Sequence, residues 1–134
     1  MQANSFNRAA DVRSINDALQ SHVEWKVRLR SAIRAREPLD VDAIRLDSVC
    51  KMGIWLYGEG ERWGKLAAHL RETHAEFHAA AAGVAEACNA GNFELAEQMM
   101  GPGSAYMKAT TAVRTAIFDL VARSRHEQPQ QKLA

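Results

Sequence analysis

The sequence predicts an all-α protein, an antiparallel four-helix bundle with one additional short helix. Apolar residues recur at alternating steps of three and four over long stretches, which is the spacing of bundle-facing helices. Period-2 alternation is absent, so no strand is predicted. Short connections rich in glycine and proline separate the helical stretches, and such connections favour antiparallel neighbours.

The first predicted helix runs from about Asp11 to Arg36, and Pro38 ends it. Its inward stripe includes a histidine and a lysine: Val12, Ile15, Leu19, His22, Lys26, Leu29, Ile33. A second helix is predicted from an Asp40 N-cap to about Trp55, because the glycines at 58 and 60 break the chain there.

The third predicted helix, from about residue 61 to 90, is the longest, and Gly91 lies where a C-terminal cap glycine belongs. Its stripe also contains a histidine: Trp63, Leu66, Leu70, His74, Phe77, Ala81, Val84, Cys88. A short fourth helix spans about 93–100 with Asn92 as N-cap, and a fifth spans about 104–124 after a Gly-Pro-Gly turn. Together they predict one helical domain over 1–126 and a polar tail over 127–134.

Composition excludes several classes of protein. A chain of 134 residues with a net charge of +1 is one domain without the basic surface of a nucleic-acid or membrane binder. No N-terminal export signal and no apolar run long enough to span a bilayer is present, which favours the cytoplasm. Thiols stay reduced there, so Cys50 and Cys88 are metal ligands, reactive groups or core fillers.

Three of the five histidines fall on predicted inward faces. His74 and His78 are one turn apart on the third helix, and His22 lies on the first. A single inward histidine is typically a satisfied core residue, and a single cysteine is typically inert core packing. A second helix packed against the first and third would nevertheless bring Cys50 to the same level. Thiolate and imidazole together suit tetrahedral Zn²⁺.

The same residues argue against other metal chemistries. No glutamate stands three positions before any histidine, so the pairs of a di-iron bundle are missing. Glu76 lies two residues after His74, about 200° round the helix, which is unlike a zinc protease. Four protein ligands would also close the coordination shell, whereas catalytic zinc keeps an open position. We therefore expect a structural or regulatory metal and no enzyme.

These motifs resemble the chemoreceptor zinc-binding (CZB) domain family. The similarity rests on three segments in a fixed order, with 27 residues between His22 and Cys50 and 23 between Cys50 and His74. The segments are His22-Val23-Glu24-Trp25-Lys26, Cys50-Lys51-Met52-Gly53-Ile54-Trp55 and His74-Ala75-Glu76-Phe77-His78. The resemblance covers roughly residues 12 to 122, and it implies a helical bundle in which His22, Cys50, His74 and His78 bind one Zn²⁺.

The resemblance implies a sensory domain of bacterial cytoplasmic signalling, one that senses zinc or an oxidant such as hypochlorous acid through Cys50. It also implies a homodimer and an output through a chemoreceptor or a diguanylate cyclase. The sequence holds no methyl-accepting coiled coil and no cyclase active-site loop, so the output is expected from another chain or from a longer protein. The alternative is a zinc-stapled dimerisation scaffold that senses nothing.

Lesser expectations concern residues around the proposed site. Cys88 is expected in the core, His69 on the surface and Lys26 extending to the bundle edge. Three carboxylates could orient the imidazoles: Asp47, Glu24 and Glu72. The tryptophans at 25, 55 and 63 either shield the metal or, for at least two of them, pack in the core. An apolar strip of Val23, Val27, Met107, Ala116 and Val121 is expected to face a second copy.

Overall fold

The computed structural model describes residues 8–125, whose regular elements are all helices, with no strand among them. The elements are α1 (Arg8–Ala35), α2 (Val41–Arg45), α3 (Lys51–Leu56), a 3-10 helix (Glu59–Ala67), α4 (Ala68–Asn89), α5 (Phe93–Gln98) and α6 (Ala105–Arg123). The all-α prediction is confirmed. The antiparallel four-helix bundle stays a prediction, and the tail at 127–134 and His126 lie outside the described residues.

The long helices form near the predicted positions. In α1 the buried stripe contains Ile15, His22 and Leu29. Lys26 is exposed, so it does not belong to the buried stripe, and its exposure agrees with the expected position at the bundle edge. Helix α6 begins where the Ser104 side chain accepts a hydrogen bond from the Met107 amide.

The predicted second helix was wrong as a single element. Asp40 caps α2 by accepting from the Ala43 amide, as expected, but α2 stops at Arg45 and α3 starts only at Lys51. The backbone is extended at Leu46, and the side chain of Cys50 caps α3. A cysteine sulfur takes the N-cap role here in place of the usual hydroxyl or carboxylate, so the residue pattern contains no recognisable signal for the break.

The predicted third helix also divides. Its first part is the 3-10 helix, which contains Gly64 at φ 54°, and regular α-helix begins at Ala68. Gly91 has φ 84°, as a C-terminal cap glycine requires. Helix α4 is the centre of the packing, since it contacts α6, α2, α5, α1, α3 and the 3-10 helix.

The core contains the aromatic rings of Trp63, Phe77 and Tyr106, each at most 1% exposed. Cys88 belongs to it, at 3% exposed, so its predicted core position is confirmed. Ala116 is buried inside the fold at 3% exposed, so its expected place in an exposed strip was wrong. Within residues 8–125, no helix has the length and apolar character needed to cross a bilayer.

Candidate metal centre

Helix α4 supplies two imidazoles from one face. His74 is 0% and His78 is 2% exposed, and their ring centroids lie 4.6 Å apart. The i, i+4 spacing produces this arrangement, because side chains four apart project from the same side of a helix. The pair is buried as predicted.

The third imidazole comes from α1. His22 is 6% exposed, and its ring lies 4.9 Å from that of His74 and 4.5 Å from the ring of Phe77. The ring of Trp25 is nearly perpendicular to that of His78, and the two ring centroids lie 6.4 Å apart. Trp55 and Trp63 pack on each other at 5.7 Å in the core, so two of the three tryptophans are core residues.

Cys50 approaches the imidazoles from the start of α3. Its Sγ lies 3.2 Å from Nε2 of His74 and 3.4 Å from Nε2 of His78. The Gly53 amide donates to the same sulfur at 3.4 Å. A Cβ at Gly53 would overlap the carbonyl of Asp47, so the bend before Cys50 packs closely against this glycine. The turn that delivers the sulfur therefore requires glycine at position 53.

These four side chains form one compact donor set. One ligand atom from each of His22, Cys50, His74 and His78 lies within 4.8 Å of every other. With bonds of about 2.0–2.1 Å to nitrogen and about 2.3 Å to sulfur, donors around tetrahedral zinc lie about 3.3–3.6 Å apart. The two sulfur–nitrogen distances, 3.2 and 3.4 Å, lie at or just below that range, so a small outward shift of the donors would admit a zinc ion.

A backbone carbonyl orients one of the imidazoles. Nδ1 of His78 lies 2.7 Å from the carbonyl oxygen of Ile44, which leaves Nε2 to face Cys50. This partner was not among the carboxylates considered from the sequence. Glu24 and Glu72 are exposed. Asp47 accepts a hydrogen bond from the Tyr57 hydroxyl at 2.8 Å.

Burial keeps the imidazoles uncharged. Desolvation, with the neighbouring His78, lowers the pKa of His22 to about 4, and desolvation with the other two histidines lowers the pKa of His74 to about 3. Desolvation also lowers the pKa of His78 and raises the pKa of the Cys50 thiol. Near neutral pH the histidines are neutral, the form whose lone pair binds a metal.

Two ring nitrogens of the donor set make no hydrogen bond. Nε2 of His22 and Nδ1 of His74 are buried and have no hydrogen-bond partner. A buried polar atom without a partner costs about 1–3 kcal/mol. A cation held between these rings would offset that cost at His22.

The comparison with protein families agrees with this chemistry. Residues 22–85 match the model of the chemoreceptor zinc-binding domain. The matched segment contains all four donor residues. The CZB domain is a zinc-binding, regulatory type of domain rather than a catalytic one, and zinc is its cofactor. No curated protein and no solved structure matches the chain significantly.

The other titratable candidates lie elsewhere. His69 is exposed and faces Glu72, and Glu76 is exposed, both as the helical spacing predicts. Sequence reasoning missed the Ile44 carbonyl, which no side-chain pattern can reveal. It also gave no role to Gly53, although this glycine stands three residues after Cys50, at the position that an N-cap side chain contacts.

Proposed function

We propose that the CZB domain binds one Zn²⁺ through His22, Cys50, His74 and His78 and acts as a regulatory sensor in bacterial signalling. The observation that carries this proposal is the mutual approach of the four donor atoms, all within 4.8 Å. One sulfur and three nitrogens would fill the four positions of a tetrahedral zinc ion, as in structural rather than catalytic zinc sites. We therefore infer that the site performs no hydrolysis.

Metal analysis of the protein beside a Cys50→Ser variant tests the ligand set. Serine at position 50 can still accept from the Gly53 amide and cap α3, so the variant removes the thiolate while keeping the turn. We expect one zinc per chain in the parent protein and an affinity about 100-fold lower or weaker still in the variant.

Cys88→Ser is the matched control. The Cys88 thiol donates to the Glu37 carbonyl at 3.6 Å, and a hydroxyl can do the same. This variant should keep one zinc per chain. Equal zinc contents in the Cys50 and Cys88 variants would refute the proposed ligand set.

We further propose that Cys50 is the sensing group. Bound zinc keeps the sulfur as a thiolate at neutral pH, and the thiolate is the form that oxidants attack. Hypochlorous acid transfers its chlorine to the sulfur while hydroxide leaves. Water then displaces chloride and forms the sulfenic acid, with one proton released. The sulfur loses two electrons overall, the chlorine gains them, and a weaker metal ligand remains.

Sub-stoichiometric hypochlorous acid tests the oxidant proposal. Zinc release should rise in proportion to oxidation of Cys50, followed by a metal-binding dye and by mass spectrometry. If Cys50 stays reduced and zinc stays bound while methionines are oxidised, the oxidant version is wrong.

A zinc staple without sensing is the second candidate. The donors favour it because they come from α1, the start of α3 and α4, and one metal ion would hold these three elements together. Chelators discriminate between the candidates. A staple should resist stoichiometric chelator and oxidant, whereas a sensor should respond to one of them with a change in circular dichroism.

The partners and compartment follow from the same proposal. We propose a cytoplasmic homodimer whose output runs through a chemoreceptor or diguanylate cyclase region, in the same chain or another. Support for the dimer comes from Val23 and Val27 on α1, which are 46% and 63% exposed, and from Met107 on α6, which lines the same groove as Val23. A monomer at micromolar concentration in analytical ultracentrifugation would contradict the dimer.

A further inference from the structure

A cavity of about 360 Å³ lies beside the metal-ligand cluster, between α1, α2 and the start of α3. Cys50 and His78 form part of its lining, together with Trp25 and Arg28 from α1. The remaining space is bordered by residues of the segment that leads into Cys50, among them Val49, which is 59% exposed and so stands at the rim.

Cys50 lines this cavity, and its sulfur has three polar neighbours. Two imidazole nitrogens lie within 3.4 Å of Sγ, and the Gly53 amide donates to it from α3. The three histidines are buried, but Cys50 is partly exposed. Cys50 is therefore the most exposed of the four donor residues, and it lies in the lining of this cavity.

The cavity wall carries an excess of positive charge. Arg28 lies over the Trp25 ring at 4.4 Å, which fixes a guanidinium in the wall. Lys51 adds a second cation, and Asp40 is the carboxylate among the lining residues. The surrounding side chains are largely aliphatic, so the wall accepts small apolar or anionic molecules better than cations.

We propose that this cavity is the entrance through which small, neutral or anionic electrophiles reach the Cys50 sulfur. The proposal rests on the proposed function, since it names the reagents that the zinc-binding sulfur meets. Hypochlorous acid and its anion belong to this class. The acid reacts by the chlorine transfer and hydrolysis described above, and the anion does so after taking a proton from water. Peptide disulfides fall outside it, because two bulky arms flank their reacting sulfur.

Two tryptophan substitutions test the entrance. Val49→Trp adds bulk at the rim, while Ile54→Trp adds the same bulk on α3 at a residue that is 63% exposed and does not line the cavity. The measurement is the alkylation rate of Cys50 by iodoacetamide, read by mass spectrometry of its own peptide so that Cys88 is scored separately.

Val49→Trp should slow alkylation of Cys50 about fivefold or more, because access limits the reactivity of a thiolate. Ile54→Trp should leave the rate within about twofold of the parent, as expected for a surface change away from the reacting group. Equal slowing in the two variants, or none in either, would overturn the entrance.

The charge of the wall is tested with iodoacetate and iodoacetamide, which differ by one carboxylate. Arg28→Gln should lower the iodoacetate-to-iodoacetamide rate ratio at Cys50 by about twofold, the size of one screened charge at this range. Lys26→Gln is the control, because Lys26 is exposed on α1 and lines a different groove. An unchanged ratio in Arg28→Gln would remove the anion preference.

Zinc analysis of the same samples separates the two proposals. If every variant keeps one zinc per chain and Val49→Trp reacts at the parent rate, the entrance is wrong and the zinc site stands. If the parent protein binds no zinc, the proposed function fails whatever the alkylation rates are.

Discussion

Helix α1 carries buried polar side chains at two levels, Asp11 near its start and His22 about 16 Å further along its axis. Asp11 accepts from the indole of Trp63 at 2.7 Å and from that of Trp55 at 3.4 Å, and Arg62 lies 3.8 Å away. At the level of His22, a buried ring nitrogen has no hydrogen-bond partner.

Both levels connect α1 to α3, through Trp55 at one and Cys50 at the other. The chain itself satisfies the Asp11 carboxylate, so that cluster is complete as folded. The histidine cluster offers lone pairs and a sulfur but no cation of its own. The Asp11 cluster therefore links helices by its own hydrogen bonds, whereas the histidine cluster needs an added ion to satisfy its donor atoms.

Zinc removal should have the largest effect, and it should act at the histidine level. Loss of the metal leaves buried imidazoles without partners and frees the link between α1, α3 and α4. The thermal midpoint should fall by more than about 10 °C, because metal binding contributes directly to folding. Calorimetry with and without chelator measures this, and Cys50→Ser should show almost no chelator effect. Coincident melting curves of the parent protein would contradict the contrast.

Gly53→Ala should disturb the histidine cluster by displacing the backbone before Cys50. The new methyl overlaps the Asp47 carbonyl, so the segment before Cys50 must move. We expect a loss of about 2–4 kcal/mol in the free energy of unfolding and a zinc affinity about tenfold lower. Chemical denaturation and zinc titration measure the two quantities.

Gly83→Ala is the matched control for this change. Gly83 lies within α4, where an added Cβ would be 3.4 Å from the flexible end of Met99. Alanine there should stabilise the helix by up to about 1 kcal/mol and leave zinc affinity unchanged. Similar losses in both variants would mean that Gly53 has no special role.

Asp11→Ala should affect the other level alone. It removes the acceptor that the two indoles share, at a cost of about 2–3 kcal/mol in the free energy of unfolding. Zinc content should stay at one per chain. Asp119→Ala breaks an exposed pair with Arg123 and should cost less than about 0.5 kcal/mol. A loss of zinc in Asp11→Ala would show that the two levels are coupled.

The sequence predicted most of the helical content because long amphipathic stretches leave a periodic pattern. It failed between Asp40 and Leu56, where a cysteine takes the N-cap role and a glycine permits the close approach of Asp47. Neither feature changes hydrophobic periodicity, so one continuous helix was the natural prediction.

The candidate site was predictable to the level of its side chains. His74 and His78 follow from helical spacing, and the resemblance to the CZB family joined them to His22 and Cys50. The partner of His78 was not predictable, since a carbonyl such as that of Ile44 belongs to every residue and only the fold selects one. The sequence also could not show which apolar residues stay on the surface, since Ala116 is buried while Val23 and Val27 are exposed.

The two histidines of α4 also differ from the other donors in how they are held. They stand one turn apart on a helix of 22 residues, so their spacing exists before any ion arrives. Cys50 depends on a turn, and His22 depends on the docking of α1. Half of the donor set therefore comes from one continuous helix, and the other half comes from the packing of two further elements. A change at the sulfur alone leaves the spacing of His74 and His78 set by the helix.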